Sequence, residues 1–67
     1  MGLTLKAARV NKNLTTAEAA QKLGITPSTL SAYERGRSYP DVPKIKRMEE
    51  IYCVSYNDLI FLPSDNG

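Results

Sequence analysis

The residues of this chain best suited to meeting a charged partner lie between Thr15 and Ser38. Pro27, Ser28, Thr29, Ser31 and Ala32 are all small, and three of them carry a hydroxyl. Set along one short helix, they leave an outer face without a bulky side chain. Such a face enters a DNA major groove without steric conflict, and its hydroxyls reach base edges. Arg35 and Arg37 flank Gly36 just beyond it. Two guanidiniums beside a turn suit phosphate oxygens. The bland alternative is a solvated helix face followed by two ordinary surface cations.

The elements that must position these residues are legible around them. The run from Thr16 to Arg35 reads as two short helices joined by a tight turn, a helix-turn-helix. Ala20 is small enough for the point of closest approach, and Gly24 supplies a turn that needs a positive φ. Ala19, Leu23, Ile25, Leu30 and Tyr33 face one core. Thr15-x-x-Glu18 is a capping box for the second helix. Thr26 caps the third, with Pro27 at its first position and Gly36 at its left-handed end. A first helix is expected from about Leu3 to Asn11, with Leu5 and Ala8 inward and Asn13 as its breaker. Asp41 caps a fourth helix, with Pro43 in its first turn. Its inward face is Val42, Ile45, Met48, Ile51 and Tyr52, and it stops near Cys53–Val54. Ser55-x-x-Asp58 suggests a fifth helix through Leu59, Ile60 and Phe61, ended by Pro63. The expectation is an all-α, compact five-helix domain over residues 1–62, with a loose tail at 63–67.

Bulk properties narrow the function. The 67 residues allow one small domain, and 42% hydrophobic with 24% charged residues is ordinary for a globular one. The net charge of +2 is unevenly placed: residues 1–47 hold all nine Lys and Arg against three acids, and residues 48–67 hold four acids and no base. A basic body suits a surface that meets phosphate. Cys53 is the single cysteine and His is absent. An intrachain disulfide, a zinc finger and histidine catalysis are thereby excluded. No nucleophile–base pair or phosphate-cradling Gly loop supports an enzyme, so no catalytic residue, metal, cofactor or small-molecule substrate is expected. No apolar run approaches the roughly 18 residues that span a membrane, and the opening residues lack a signal-peptide core. A reducing cytoplasm is the expected location.

In four segments the chain resembles the Cro/repressor class of helix-turn-helix domains, the family of lambdoid phage repressors. They are Leu5-Lys-Ala-Ala-Arg9, Leu14-Thr-x-x-Glu-x-Ala20-x-x-Leu23-Gly24-Ile25, Ser28-Thr-Leu-Ser-x-Tyr-Glu34-Arg-Gly36-Arg-x-x-Pro40 and Val54-Ser-x-x-Asp-Leu. The ending Ile60-Phe-Leu-Pro63 also looks like small regulators from phages and prophages of Gram-positive bacteria. The resemblance implies a lambda-repressor-like fold acting on double-stranded DNA in a bacterial host cell, with the third helix in the major groove. It places Pro27, Ser28, Thr29 and Ala32 at base edges. Thr16, Ala17, Ser31, Arg35, Gly36, Arg37 and Ser38 fall at the backbone, and Arg9 with Glu34 forms a partly buried salt bridge.

The base-facing residues depart from strong readers, which use Gln, Asn or Arg in bidentate contacts. Ser and Thr hydroxyls discriminate poorly, while Ala32, the Pro27 ring and the Thr29 methyl suit thymine methyls. T-containing half-sites and a share of shape readout are expected. Ala8 and Ala19 stand where the family carries larger aliphatics, leaving room for Tyr33 or Met48. Cys53 stands where the family has Gly, in a left-handed position, and reads as a semi-buried small hydrophobe. Tyr39 lies either on the sugar-phosphate backbone or over the core. Leu59, Ile60, Phe61 and Leu62 cannot all face inward, and the surplus suggests a homodimer patch. The leading expectation is a phage or prophage repressor or Cro-like switch on a palindromic operator. The alternative is a protein-interaction module, antirepressor or antitoxin-like, with weak DNA binding.

Overall fold

The computed structural model describes residues 2–61. In chain order these residues form β1 (Leu3–Thr4), α1 (Leu5–Asn11), α2 (Thr16–Leu23), α3 (Pro27–Arg35), α4 (Val42–Tyr52), a single 3-10 turn (Tyr56–Asp58) and β2 (Leu59–Ile60). Each α-helix starts at a side-chain cap: Thr4, Thr15, Thr26 and Asp41 each accept a backbone N–H from three residues on. Gly24 at φ 74° and Gly36 at φ 79° close α2 and α3 in the left-handed conformation that glycine adopts without a Cβ penalty. Asn13 breaks the chain after α1 at φ 57°.

The expected fifth helix is absent among the described residues. After the 3-10 turn the chain extends, and β2 pairs in parallel with β1, Leu3 opposite Leu59 and Thr4 opposite Ile60. The cause is local. Thr4 must be extended to cap α1, at φ −69° and ψ 161°, so its neighbourhood offers ladder groups. Pairing with β1 satisfies backbone groups there without the cost of nucleating a further short helix. For the same reason α1 begins at Leu5 and not at Leu3. Ser55 makes no capping bond to the backbone. Instead, the Tyr56 N–H donates to Glu49 Oε2 at 2.6 Å. Leu62 and the expected tail lie outside the described residues.

The core gathers Leu5, Ala8, Ala19, Ala20, Leu23, Leu30, Met48, Tyr52 and Leu59. Leu30, Met48 and Tyr52 are its largest fully buried side chains. Two of these three come from α4, while Tyr33 packs at the edge of the core. Two expected placements are corrected. Val42 is 63% exposed, because it opens α4 one turn before the buried face begins. Cys53 is exposed and holds φ 56°, so it ends α4 from outside the core.

Tyr52 places a hydroxyl in the core with no hydrogen-bond partner. Burial pushes its pKa from 10.0 to about 12, with Glu34 adding to the rise and Arg9 opposing it. The phenol ionises earlier in the unfolded chain. Its contribution to stability is thus intact below about pH 10 and is lost as pH rises toward 12. Replacing Tyr52→Phe is expected to leave stability at pH 7 within about 1 kcal/mol and to flatten the alkaline loss, read by urea unfolding at a series of pH values. A neutral-pH loss beyond about 2 kcal/mol would show that the hydroxyl has a partner. Replacing Cys53→Gly relieves a left-handed non-glycine residue. The urea midpoint should rise by the equivalent of about 0.5–1 kcal/mol at constant slope.

Candidate nucleic-acid interface

The candidate interface is built by α2 and α3 and the turn that fixes them. Gly24 and Ile25 donate their N–H groups back to the end of α2, to Gln21 O at 3.1 Å and Ala20 O at 3.0 Å. Ala20 is buried at the contact between the helices. Arg47 Nε reaches Lys22 O at 3.4 Å, which also braces the end of α2 from α4. The angle between α2 and α3 therefore rests on backbone bonds and on a small residue.

At the start of α2 the capping box is complete. The Thr15 N–H donates to Glu18 Oε1 at 2.8 Å, and the Glu18 N–H donates to Thr15 Oγ1 at 3.1 Å. The Thr15 backbone N–H, with help from its hydroxyl, holds the Glu18 carboxyl below its usual pKa. Thr16 and Ala17 occupy the first turn, where no carbonyl of the helix reaches their amides. That positive end can take an anion. Ala17 is exposed and Thr16 is half-buried.

On α3 the structure brings Ser28, Ser31, Ala32, Arg35 and Arg37 around one shallow concavity of about 190 Å³. Pro27 and Ser28 are exposed at its N-terminal end, and Arg35, Arg37 and Ser38 are exposed at the other. Gly36 is buried, and its turn is locked by the Arg37 N–H to Ala32 O at 2.9 Å. Thr29 differs from its neighbours. Its hydroxyl lies 2.9 Å from that of Thr26, and the side chain is half-buried. Thr29 thus spends hydrogen-bonding capacity within the cap. Sequence reasoning missed this, although Thr at both cap and third position was a visible signal.

Arg9 and Glu34 meet behind this face. Arg9 Nε donates to Glu34 Oε2 at 2.8 Å and Nη2 to Oε1 at 3.4 Å, while Nη1 donates to Leu14 O at 2.8 Å. Both side chains are only 10% exposed. One guanidinium thus joins α1, the loop before α2, and the last turn of α3. Of the apolar run at the end of the chain, Leu59 is in the core, Phe61 is half-buried and Ile60 is exposed. Leu62 lies outside the described residues. Tyr39 is 55% exposed, which removes the reading that it covers the core. Among the described residues no group of His, Cys, Asp and Glu could hold a metal ion, and no helix is long and apolar enough to cross a membrane.

Residues 5–59 match the helix-turn-helix family. The chain is 38% identical over 60 residues to the HTH-type transcriptional regulator ImmR of Bacillus subtilis strain 168, a match covering 90% of this chain and 47% of that protein. It is 29% identical over 56 residues to the HTH-type transcriptional activator BcrR of Enterococcus faecalis, covering 84% of this chain and 28% of that protein. The chain thus spans less than half the length of these curated relatives. No solved structure matches it.

Breaking the buried ion pair from one side leaves an uncompensated charge. Arg9→Met is expected to lose about 3 kcal/mol of stability in urea unfolding. Arg9→Met with Glu34→Leu should lose less than the two single changes combined, since neither charge is then stranded. Additive losses would show that the pair is not coupled.

Proposed function

Because the chain belongs to the XRE-type helix-turn-helix family, with residues 5–59 in the match, we propose that it is a sequence-specific DNA-binding transcriptional regulator. It works as a phage or prophage repressor or Cro-like switch in the cytoplasm of a bacterial host. The observation that carries this reading is the grouping of small α3 residues and two arginines around one exposed concavity. In this reading α3 enters the major groove. Ser28 and Ala32, with Pro27 and the Thr29 methyl, meet base edges. Arg35, Arg37 and Ser38, with the Gly36 turn and Ser31, hold the flanking phosphates. The Thr16 and Ala17 amides take a phosphate at the positive end of α2.

The base-facing residues set the mechanism. One exposed serine hydroxyl and a few methyl groups supply little direct discrimination, so each module favours T-containing half-sites weakly. Affinity comes chiefly from phosphate contacts and is steeply salt-dependent. Two copies on a palindrome, with half-sites about 34 Å apart, multiply the small preference of each. Bound across a promoter, such a pair excludes polymerase.

A second reading has one observation in its favour. Thr29 turns its hydroxyl inward to the cap, which leaves α3 few groups that read bases. The same fold would then serve as an antirepressor or antitoxin-like module whose main partner is a protein.

Selection from a random duplex pool at roughly 0.1 M salt separates the two. The expected result is an enriched palindrome, with T at the positions facing Ala32 and Pro27. Binding that only fades with salt, without enrichment, would favour the protein partner. On the enriched site, Arg35→Ala and Arg37→Ala should each weaken binding and reduce the log-log salt slope by about 1. An unchanged slope would remove these residues from the phosphate contacts.

A further inference from the structure

Tyr39, Tyr56 and Phe61, three of the five aromatic residues in the sequence, line one concavity of about 300 Å³. They come from three separate places: the loop between α3 and α4, the 3-10 turn, and the residue after β2. Pro40 and Ile45 complete the wall. Tyr39 is 55% exposed and Tyr56 52%, so the core does not account for these rings. The rings of Tyr56 and Phe61 stand 5.8 Å apart at a tilt of 38°, so neither face is covered by a parallel stack on the other. A carboxylate is fixed to the same wall. Glu49 is half-buried, and its Oε2 accepts the Tyr56 N–H at 2.6 Å. It lines an adjoining concavity of about 250 Å³ that shares Ile45 and Tyr56 with the first. The segment that carries Tyr56 and Phe61 is acidic throughout: residues 48–61 hold Glu49, Glu50 and Asp58 and no base.

We propose that this concavity is a binding site for a small organic cation, a quaternary ammonium head held among Tyr39, Tyr56 and Phe61 with Glu49 beside it. Ring faces carry the negative lobe of the aromatic quadrupole and attract a cation within about 6 Å of the centroid. A carboxylate next to the rings adds a full opposite charge. The ligand must also shed water against Pro40 and Ile45, which offer no hydrogen bond to replace it. A compact ammonium loses too much hydration there, whereas an alkylated one already presents carbon to the wall. An anion is repelled by the rings and by Glu49, and a neutral apolar molecule gains nothing from either. Lys46 lines the adjoining concavity and not this one, and it is exposed, where solvent screens its charge. The volume suits a head group of this size, at the lower end of small-molecule sites. The inference does not rest on α3 binding DNA. Tyr39 follows Arg37 and Ser38 directly, so an occupant touches the loop assigned to phosphate.

The test is a choline titration of the full 67-residue chain, without DNA and at constant ionic strength, followed by backbone amide NMR shifts. Saturable shifts are expected, gathered at Tyr39, Ile45, Tyr56 and Phe61, with half-saturation at about 1–10 mM. The neutral isostere, in which a tert-butyl group replaces the trimethylammonium, should bind at least about 5-fold more weakly. That comparison uses the unaltered chain, so the folding of a variant cannot decide it. Tyr56→Leu keeps an apolar side chain but removes a ring, and should weaken choline at least about 5-fold. Glu49→Gln should weaken it about 3-fold, since an amide oxygen still accepts the Tyr56 N–H while the charge is gone. Shifts that do not saturate by about 50 mM, or that centre elsewhere, overturn the proposal. So does equal affinity for the neutral isostere, or choline binding indifferent to both substitutions. Failure of the chain to bind any duplex would reject the DNA reading and leave this site standing.

Discussion

Much of this small domain hangs on the fork that Arg9 makes with Glu34 and Leu14 O. The three groups belong to three different elements, and no apolar contact could fix their relative orientation so closely. The planar donors of the Arg9 guanidinium match a carboxylate in one geometry. The last turn of α3 is thereby held against α1 by directional bonds, while Leu30 and Met48 supply the non-directional burial. In a core of nine buried hydrophobic residues, that direction matters more than it would in a larger protein. The unpartnered Tyr52 hydroxyl is a cost beside it, carried by one of the largest fully buried side chains of the core.

The parts legible in the sequence were those governed by local chemistry. Thr15, Thr26 and Asp41 announced their helices because a cap depends on only three following residues. Gly24 and Gly36 announced the ends of α2 and α3 because few residues accept a positive φ. Cys53 was placed in the left-handed position by its alignment with a family glycine, yet its exposure could not be read. The end of the chain was misread because its conformation is decided at a distance. Ser55-x-x-Asp58 carries the letters of a cap, but β1 offers a backbone partner fifty-six residues away in sequence. Val42 was assigned inward because its spacing to Ile45 fits one helical face. That spacing cannot distinguish the first residue of a buried stripe from a second stripe that faces solvent.

The candidate interface divides in the same way. Its residues were identified by type and by resemblance, but their grouping needed the fold. Arg37 and Ser28 are nine positions apart, and they share one concavity because α3 ends at Gly36 and the chain turns back. The role of Thr29 was altered by a neighbour that the face-by-face reading set aside. A hydroxyl counted toward base recognition is instead engaged at 2.9 Å within the cap. The same interaction that starts the helix thus removes a hydroxyl from its outer face.

That subtraction explains why the back of the domain matters to the front. A module with a weakly discriminating helix gains specificity by repetition, because two half-sites square a small preference. In the proposed paired arrangement, repetition requires a fixed distance and a fixed relative orientation of the two copies. In this chain α4 has one face in the core, through Met48 and Tyr52, and another open to solvent, through Val42 and Lys46. It therefore connects the core packing beneath α3 to the solvent-facing side of the domain. The Arg47 contact with the end of α2 makes that connection short. The end of α2 and the core beneath α3 are thus both braced by one helix, α4.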